Sequence, residues 1–523
     1  MLTFPLGGLR RRREKMSEVG LLVTQAERIA VVLVFVIYLI GLVFIGVYAR
    51  KRLGKTAIDR FAEEFYTGGR LLGAIVVAFI IGAGLCSVGT FVGGPGLSWR
   101  LGMPWYTVIG AQIFMNFFIL IGLGKMVGIV ARRTGALSVG DILFERYDRS
   151  KLIAVLYALP VIIFLTPYAS VQFVGSSRIF EVMTGWSYKT ALVLTALVTI
   201  FYATLGGIRG VGLAAMIQGI FMTVAALFLA VGVFGGALSQ YGSFAGVHEA
   251  LVKISGEKYV NPLAMGPRIV LSWWIIFSLG VLVLPHGLMG TLSYRDTSAM
   301  KRAVYLGVIV VTFWTYILLG AGFFGKLWFP KLPVPDHVIP ALTMKLLPPA
   351  MAGIVFAGVI SAAQSTIAVM VILVSGAVVQ NLYREIINPQ AQPEQLKKIT
   401  IYTTLVVGVV ALLLALTEPP ALEYIIIMAI GGVMSSIFWP IVLGFLWPRG
   451  NKYGAMASMI TGLVVYGLAK IAYKPLALGF DPVIMGLLTS LVAYLAGTYL
   501  SGEIPSERVI RIFWGSEPPT DKS

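Results

Sequence analysis

The chain has 523 residues, 58% of them hydrophobic and only 12% charged, against ~25% charged in an ordinary soluble domain, so a water-soluble fold is excluded at the outset. One cysteine, Cys86, excludes an internal disulfide framework, and apolar runs that are continuous rather than alternating exclude a membrane β-barrel. The formal charge of +18 is spread between the apolar runs, which makes it a signal of membrane topology rather than of a nucleic-acid partner.

Residues 1–28 form a basic N-terminal tail with Arg10, Arg11, Arg12, Arg13, Lys15 and Arg28, and Met16 is an alternative start within it. The first apolar run, Val31 to Tyr48, lacks a small-residue cleavage site and ends in Arg50-Lys51-Arg52, a stop-transfer pattern. Thirteen helical spans follow, at roughly 29–49, 71–95, 104–124, 153–177, 190–208, 211–236, 269–290, 303–325, 350–378, 399–417, 421–447, 453–469 and 481–500. Spans of about twenty residues cross a hydrocarbon core of ~30 Å as helices. The predicted fold is thus an all-α polytopic membrane protein with a single transmembrane domain at 29–500 and a cytoplasmic tail at 501–523. The 59 glycines suit helices that pack backbone against backbone in lipid.

With the N-terminus outside, the inner loops and C-terminal tail carry 24 Lys and Arg and the outer loops 11. The positive-inside rule therefore favours an outside N-terminus and an inside C-terminus in the cell membrane, with the six charges of the N-terminal tail as the dissenting feature. The longest gap, about 236–268, is too short for a soluble domain, and no period suggests a solenoid. The outer segment 326–349, rich in proline and aromatics, reads as a spacer or a folded lid, and a spacer is the expectation.

Two spans are interrupted. Span two carries Gly82-Ala83-Gly84-Leu85-Cys86-Ser87-Val88-Gly89, and span seven carries Ser278-Leu279-Gly280 followed by Pro285-His286-Gly287. If residues about 71–236 and 269–447 are two halves, each opens on a broken helix, the arrangement that locates the site in inverted-repeat transporters.

All 23 acidic residues fall in loops, tails or span ends, which argues against a carboxylate proton relay, and His286 is expected to be structural. Neutral oxygens remain at mid-depth. Ala362, Ser365 and Thr366 stand at i, i+3 and i+4, so one carbonyl and two hydroxyls share a helical face at the depth of the break from Ala83 to Ser87. Such oxygens suit a sodium ion, though serine and threonine in membrane helices also simply bond the preceding turn.

The chain resembles the sodium:solute symporter family over roughly residues 30–470. The similarity rests on Gly68-Gly69-Arg70, on Gly206-Gly207-Ile208-Arg209-Gly210-Val211 with Ile217-Gln218-Gly219, and on Ser365-Thr366 with Asn381-Leu382-Tyr383. Within the family it is most similar to the sodium/pantothenate branch, at Phe91 to Gly96, Val171 to Gly175, Leu284-Pro285-His286, Val338-Ile339-Pro340 and Leu346 to Pro349. The resemblance implies a five-plus-five inverted-repeat, leucine-transporter-like core and a sodium site at the carbonyls of Ala83, Cys86 and Ala362 and the hydroxyls of Ser365 and Thr366. Two departures, Leu85 and Ala215, replace aspartates of the proline-transporting branch and leave sodium stoichiometry open.

The solute is expected where the breaks meet, with unsatisfied N–H groups after Cys86 facing a carboxylate. Ser87, Thr90, Tyr168, Gln172, Trp274 and Phe277 are its candidate contacts, and Trp273 opens the same span. The expected function is sodium-driven uptake of a small organic solute such as pantothenate or a related carboxylate, with no covalent chemistry, no resident cofactor and no obligate protein partner. Proton-coupled or sodium-independent transport of another solute, such as an amino acid, is the alternative, with a passive channel ranked below it.

Overall fold

The computed structural model describes residues 25–53, 55–111, 123–184, 186–419, 422–472 and 474–515. The helices used below are α1 (Gln25–Leu53), α2 (Ala74–Leu85), α3 (Gly94–Leu101), α4 (Gly124–Thr134), α5 (Lys151–Thr184) and α6 (Tyr188–Leu229). They continue with α7 (Pro267–Ser278), α8 (Pro285–Ser293), α9 (Thr297–Phe324), α10 (Val338–Leu346) and α11 (Pro349–Gly376). The last are α12 (Pro393–Ala415), α13 (Leu422–Leu446), α14 (Lys452–Gly467), α15 (Pro482–Ser501) and α16 (Glu507–Trp514).

Among the described residues nine helices are long and apolar enough to cross a membrane. Ten of the thirteen expected spans map onto these nine, and three do not. Spans two and seven are broken, and the body of span three, residues 112–122, lies outside the described residues, as do Met1, Met16 and Arg10 to Arg13. Spans five and six form one run, Tyr188–Tyr241, that reverses at Gly207. A straight helix would set positions 202 and 218 ~24 Å apart. Yet Gln218 Nε2 donates to the Tyr202 hydroxyl at 3.5 Å, so the chain folds back between them. Gly207 has φ of +53°, and a Cβ there would lie 2.9 Å from the Phe65 carbonyl, so only glycine fits the turn.

Large apolar side chains such as Phe44 and Leu500 lie fully outward, as helices surrounded by lipid require. α11 is the opposite case, buried along its length and packed on α1, α2, α5 and α6. Its rotation is fixed by polar contacts on one side. The Tyr38 hydroxyl donates to Gln364 Oε1 at 2.9 Å, the Tyr202 hydroxyl donates to the Gln364 carbonyl at 2.7 Å, and Gln218 Nε2 reaches the Tyr38 hydroxyl at 3.4 Å.

Both broken helices are confirmed. α2 stops at Leu85, Cys86 leaves helical geometry with ψ of 88°, and a π-turn over Gly89–Gly93 leads into α3. α7 stops at Ser278, a 3-10 turn spans Gly280–Val283, and Pro285 starts α8 where its missing N–H costs nothing. The two meet at their far ends, where Leu72 N–H donates to the Ser293 carbonyl at 3.1 Å and Arg295 N–H to the Leu72 carbonyl at 2.9 Å.

Segment 326–349 is not a spacer. Its α10 and the turn Pro335–His337 pack over α3 and the π-turn, and buried Asp336 pairs with Arg178 of α5 at 2.7 Å. Arg178 also donates to the Pro419 carbonyl just before α13. Proline hid this folding in the sequence because it starts helical turns as readily as it ends them. The stretch read as a C-terminal tail likewise carries α16, which docks when Arg133 donates to the Ile512 carbonyl at 2.6 Å and Trp514 stacks 4.9 Å from the Arg146 guanidinium. At the other end α1 begins at Gln25, inside the stretch read as the N-terminal tail.

Burial, opposed by Arg178, lifts the Asp336 carboxyl from 3.8 to about 6. The folded-state value lies above the unfolded one, so the folded chain holds the extra proton between them and stability falls as pH rises through that window. Above it Asp336 is ionised and depends on Arg178. Arg178→Ala is expected to cost ~3–5 kcal/mol at about pH 8 and clearly less at about pH 5, with Asp336→Asn restoring most of the loss at the higher pH. Thermal unfolding of the four proteins in detergent at both pH values reads the effect.

Candidate functional site

A partly open pocket lies where the two helix breaks meet. The first break lines it with Leu85, Ser87, Gly89, Thr90 and Gly94, the second with Phe277, Leu284 and His286. Tyr168 of α5 and Glu423, Ile426 and Ile430 of α13 close the far side, and Trp105 and Leu319 complete the wall. It is a small, mostly apolar chamber with a few convergent polar groups, the usual form of a small-molecule site.

Four of the expected solute contacts reach this chamber: Ser87, Thr90, Tyr168 and Phe277. The Tyr168 hydroxyl donates to Ser87 Oγ at 3.4 Å, tying α5 to the break. Gln172 sits one turn further along α5 and is directed at the backbone instead. Its Oε1 accepts the Val88 N–H at 2.8 Å, while Ser87 Oγ accepts the Gly89 N–H at 3.0 Å. Two of the N–H groups expected to face a solute are therefore capped by the protein's own side chains, because an orphan N–H in a membrane interior is costly. Trp274 is not among the lining residues. Its ring packs on Gly110, where a Cβ would sit 2.5 Å from Cη2, while Trp273 and Phe277 pack edge-on against Trp105 at 5.0 and 5.6 Å.

Sequence reasoning missed three wall residues. Trp105 gave no signal beyond its aromatic character. His286 was expected to make a structural hydrogen bond, yet its Nδ1 is buried with no partner among the described residues and its ring stands edge-on to Tyr168 at 5.7 Å. Glu423 was set aside as a span-end carboxylate, but it is only 4% exposed and lines the chamber. The first turn of α13 meets the turn Pro335–His337, where the Leu422 N–H donates to the Asp336 carboxyl, so a span end here is an interior position.

The oxygen face of α11 is buried as a unit. The Ser365 and Thr366 hydroxyls donate to the Ala362 carbonyl at 3.1 and 3.0 Å, which holds all three on one side of the helix. Gln364 and its tyrosine partners occupy the opposite side. α11 packs against α2, whose last turn carries Ala83 and whose break begins at buried Cys86. Leu85 lines the chamber and Ala215 is buried in α6, so neither position carries a charge toward the site.

Comparison with known proteins places this architecture. Residues 65–462 match the model of the sodium:solute symporter family. The chain belongs to that family. It is 33% identical over 490 residues to the sodium/pantothenate symporter of Escherichia coli (strain K12), covering 92% of this chain and 99% of that one. The sodium/pantothenate symporter of Haemophilus influenzae is 32% identical, covering 90% and 96%. Among solved structures, a Na+-coupled sialic acid symporter in a substrate-bound, outward-open state superposes with a TM-score of 0.74 at 19% identity, over 92% of this chain and 99% of that one. This symporter therefore has the leucine-transporter-like fold and couples sodium to the uptake of a solute, and its family is one of transporters.

In this symporter Gln172 caps the first broken helix at Val88. Gln172→Leu is expected to leave the Val88 N–H unsatisfied, lowering stability by ~1–3 kcal/mol. The half-saturating concentrations of all transported solutes should rise together. A loss confined to one solute, with unfolding temperature unchanged, would assign Gln172 to solute recognition instead.

Proposed function

We propose that this chain takes up pantothenate or a closely related small carboxylate across the cell membrane, driven by sodium moving inward through the same site. The observation that carries the reading is the placement of a polar-apolar chamber between two broken helices, with a buried oxygen face on the neighbouring α11. The similarity to sodium/pantothenate symporters over nine-tenths of the chain supports the choice of solute.

In this reading sodium is held by the carbonyls of Ala83, Cys86 and Ala362 and the hydroxyls of Ser365 and Thr366. The hydroxyl hydrogens are directed at the Ala362 carbonyl. An ion bridging the first break and α11 stabilises the arrangement in which the chamber is formed, so sodium and solute raise each other's affinity by the same factor. Ser87, Thr90, Tyr168 and Phe277 contact the solute. The N-terminus lies outside, which puts the α10 lid at the outer mouth, with alternating access proceeding by movement of the broken helices around the α5 and α11 frame.

The test is uptake into proteoliposomes with imposed gradients. Labelled pantothenate should accumulate above its equilibrium level only with sodium outside, and a proton gradient alone should not drive it. Ser365→Ala and Thr366→Ala should each raise half-saturating sodium by ~tenfold, the loss of one ligand contact, with little change in solute KM at saturating sodium. Unchanged sodium dependence in both variants overturns the ion assignment, and accumulation of a different solute overturns the substrate.

A further inference from the structure

The carboxyl of Glu423 is built into the chamber wall in a way that sodium coupling does not use. Its Oε2 lies where side chains at Gly89 and Gly93 would be, 2.7 and 2.8 Å from their would-be Cβ positions. Those glycines sit at the two ends of the π-turn, so the turn presents a bare groove that the carboxyl fills. Any other residue at either position would expel it. Yet Oε2 has no hydrogen-bond partner among the described residues. Across the same chamber, on the other broken helix, His286 Nδ1 is also buried and unpartnered. Buried polar atoms are almost always satisfied, so two orphans from separate helices facing one chamber indicate that its occupant completes them.

We propose that Glu423 is the specificity-determining contact of the solute site, accepting hydrogen bonds from hydroxyl groups of the solute. The inference rests on the reading of this chamber as the solute site and adds the class of solute: a small carboxylate with hydrogen-bond donors at its opposite end. A carboxyl group presents an acceptor oxygen in either protonation form. When ionised, Glu423 also repels the solute's own carboxylate, which favours the solute's donor end at α13. A second cation site fits less well. The groove is lined by glycine backbone, Ile426 and the single hydroxyl of Ser87, and among the described residues no three His, Cys, Asp or Glu side chains gather as metal ligands.

Pantothenate has two hydroxyls and an amide, so the probe is pantothenate against an analogue with the same carboxylate, amide and dimethyl skeleton but neither hydroxyl. Sodium-driven uptake of both is measured in proteoliposomes of the full chain carrying wild-type protein, Glu423→Ala or Glu423→Gln. Glu423→Ala should raise the KM for pantothenate roughly tenfold to a hundredfold and leave that of the analogue unchanged, so that discrimination is lost. Glu423→Gln keeps one acceptor oxygen and should retain part of the preference. Sodium-dependent uptake of the analogue shows that the variants are folded, and where Glu423→Ala fails that check the near-isosteric Glu423→Gln decides the question.

Equal losses on both solutes overturn the proposal in favour of a structural role. Retained discrimination overturns it as well, and an accompanying shift in sodium or pH dependence would reassign the carboxyl to an ion. If wild-type protein accumulates no pantothenate, the substrate reading fails separately. The same comparison is then made with the hydroxylated acid that a sodium-driven panel identifies and its deoxy counterpart.

Discussion

Everything in this protein depends on how two helices are interrupted inside a bilayer without leaving backbone groups bare. Lipid offers no hydrogen bonds, so each N–H freed by unwinding must be met from within the protein. At the first break Gln172 and Ser87 meet the N–H groups of Val88 and Gly89. At the second, a 3-10 turn keeps the chain locally bonded and Pro285 removes a donor that would otherwise be orphaned. What is left over is a chamber whose walls are backbone, small residues and a few polar side chains.

Around that constraint the rest of the molecule acts as a frame. α11 is held in rotation by Tyr38, Tyr202 and Gln218 through Gln364 on one side, and so presents Ala362, Ser365 and Thr366 on the other. The tight reversal at Gly207 is what brings Tyr202 and Gln218 together on α11. Above the first break, the Arg178–Asp336 pair fastens the α10 lid to α5, and Arg178 holds the chain entering α13 at Pro419. One buried ion pair thus sets the position of the helix turn that carries Glu423.

Much of the site was legible along the chain, and the reasons are local. Gly82 to Gly89 reads as a weak point because small residues cluster in an otherwise apolar span, and the i, i+3, i+4 spacing of Ala362, Ser365 and Thr366 fixes a shared face wherever the helix lies. Phe277 precedes the second break along the chain, and Tyr168 was named for its depth in span four. Gln172 was found for the same reason, yet its carbonyl oxygen turns to the backbone of Val88, a choice between two partners that spacing cannot make. Trp274 and Trp273 are neighbours in sequence, and only packing against Gly110 and Trp105 settles where each ring goes.

The sequence by itself determined the class of molecule, the order of its apolar helices, the two interruptions and the oxygen face, because each follows from composition or from the period of a helix. Tertiary structure alone decided depth and direction. Glu423 stands at the end of an apolar run, and a run's end reads as the edge of the membrane. A lid folded over that edge turned it into an interior, with the carboxyl against Gly89 and Gly93 from another part of the chain. Hydrophobic patterning records how far a residue lies along its own helix, whereas burial depends on what other segments place on top of it.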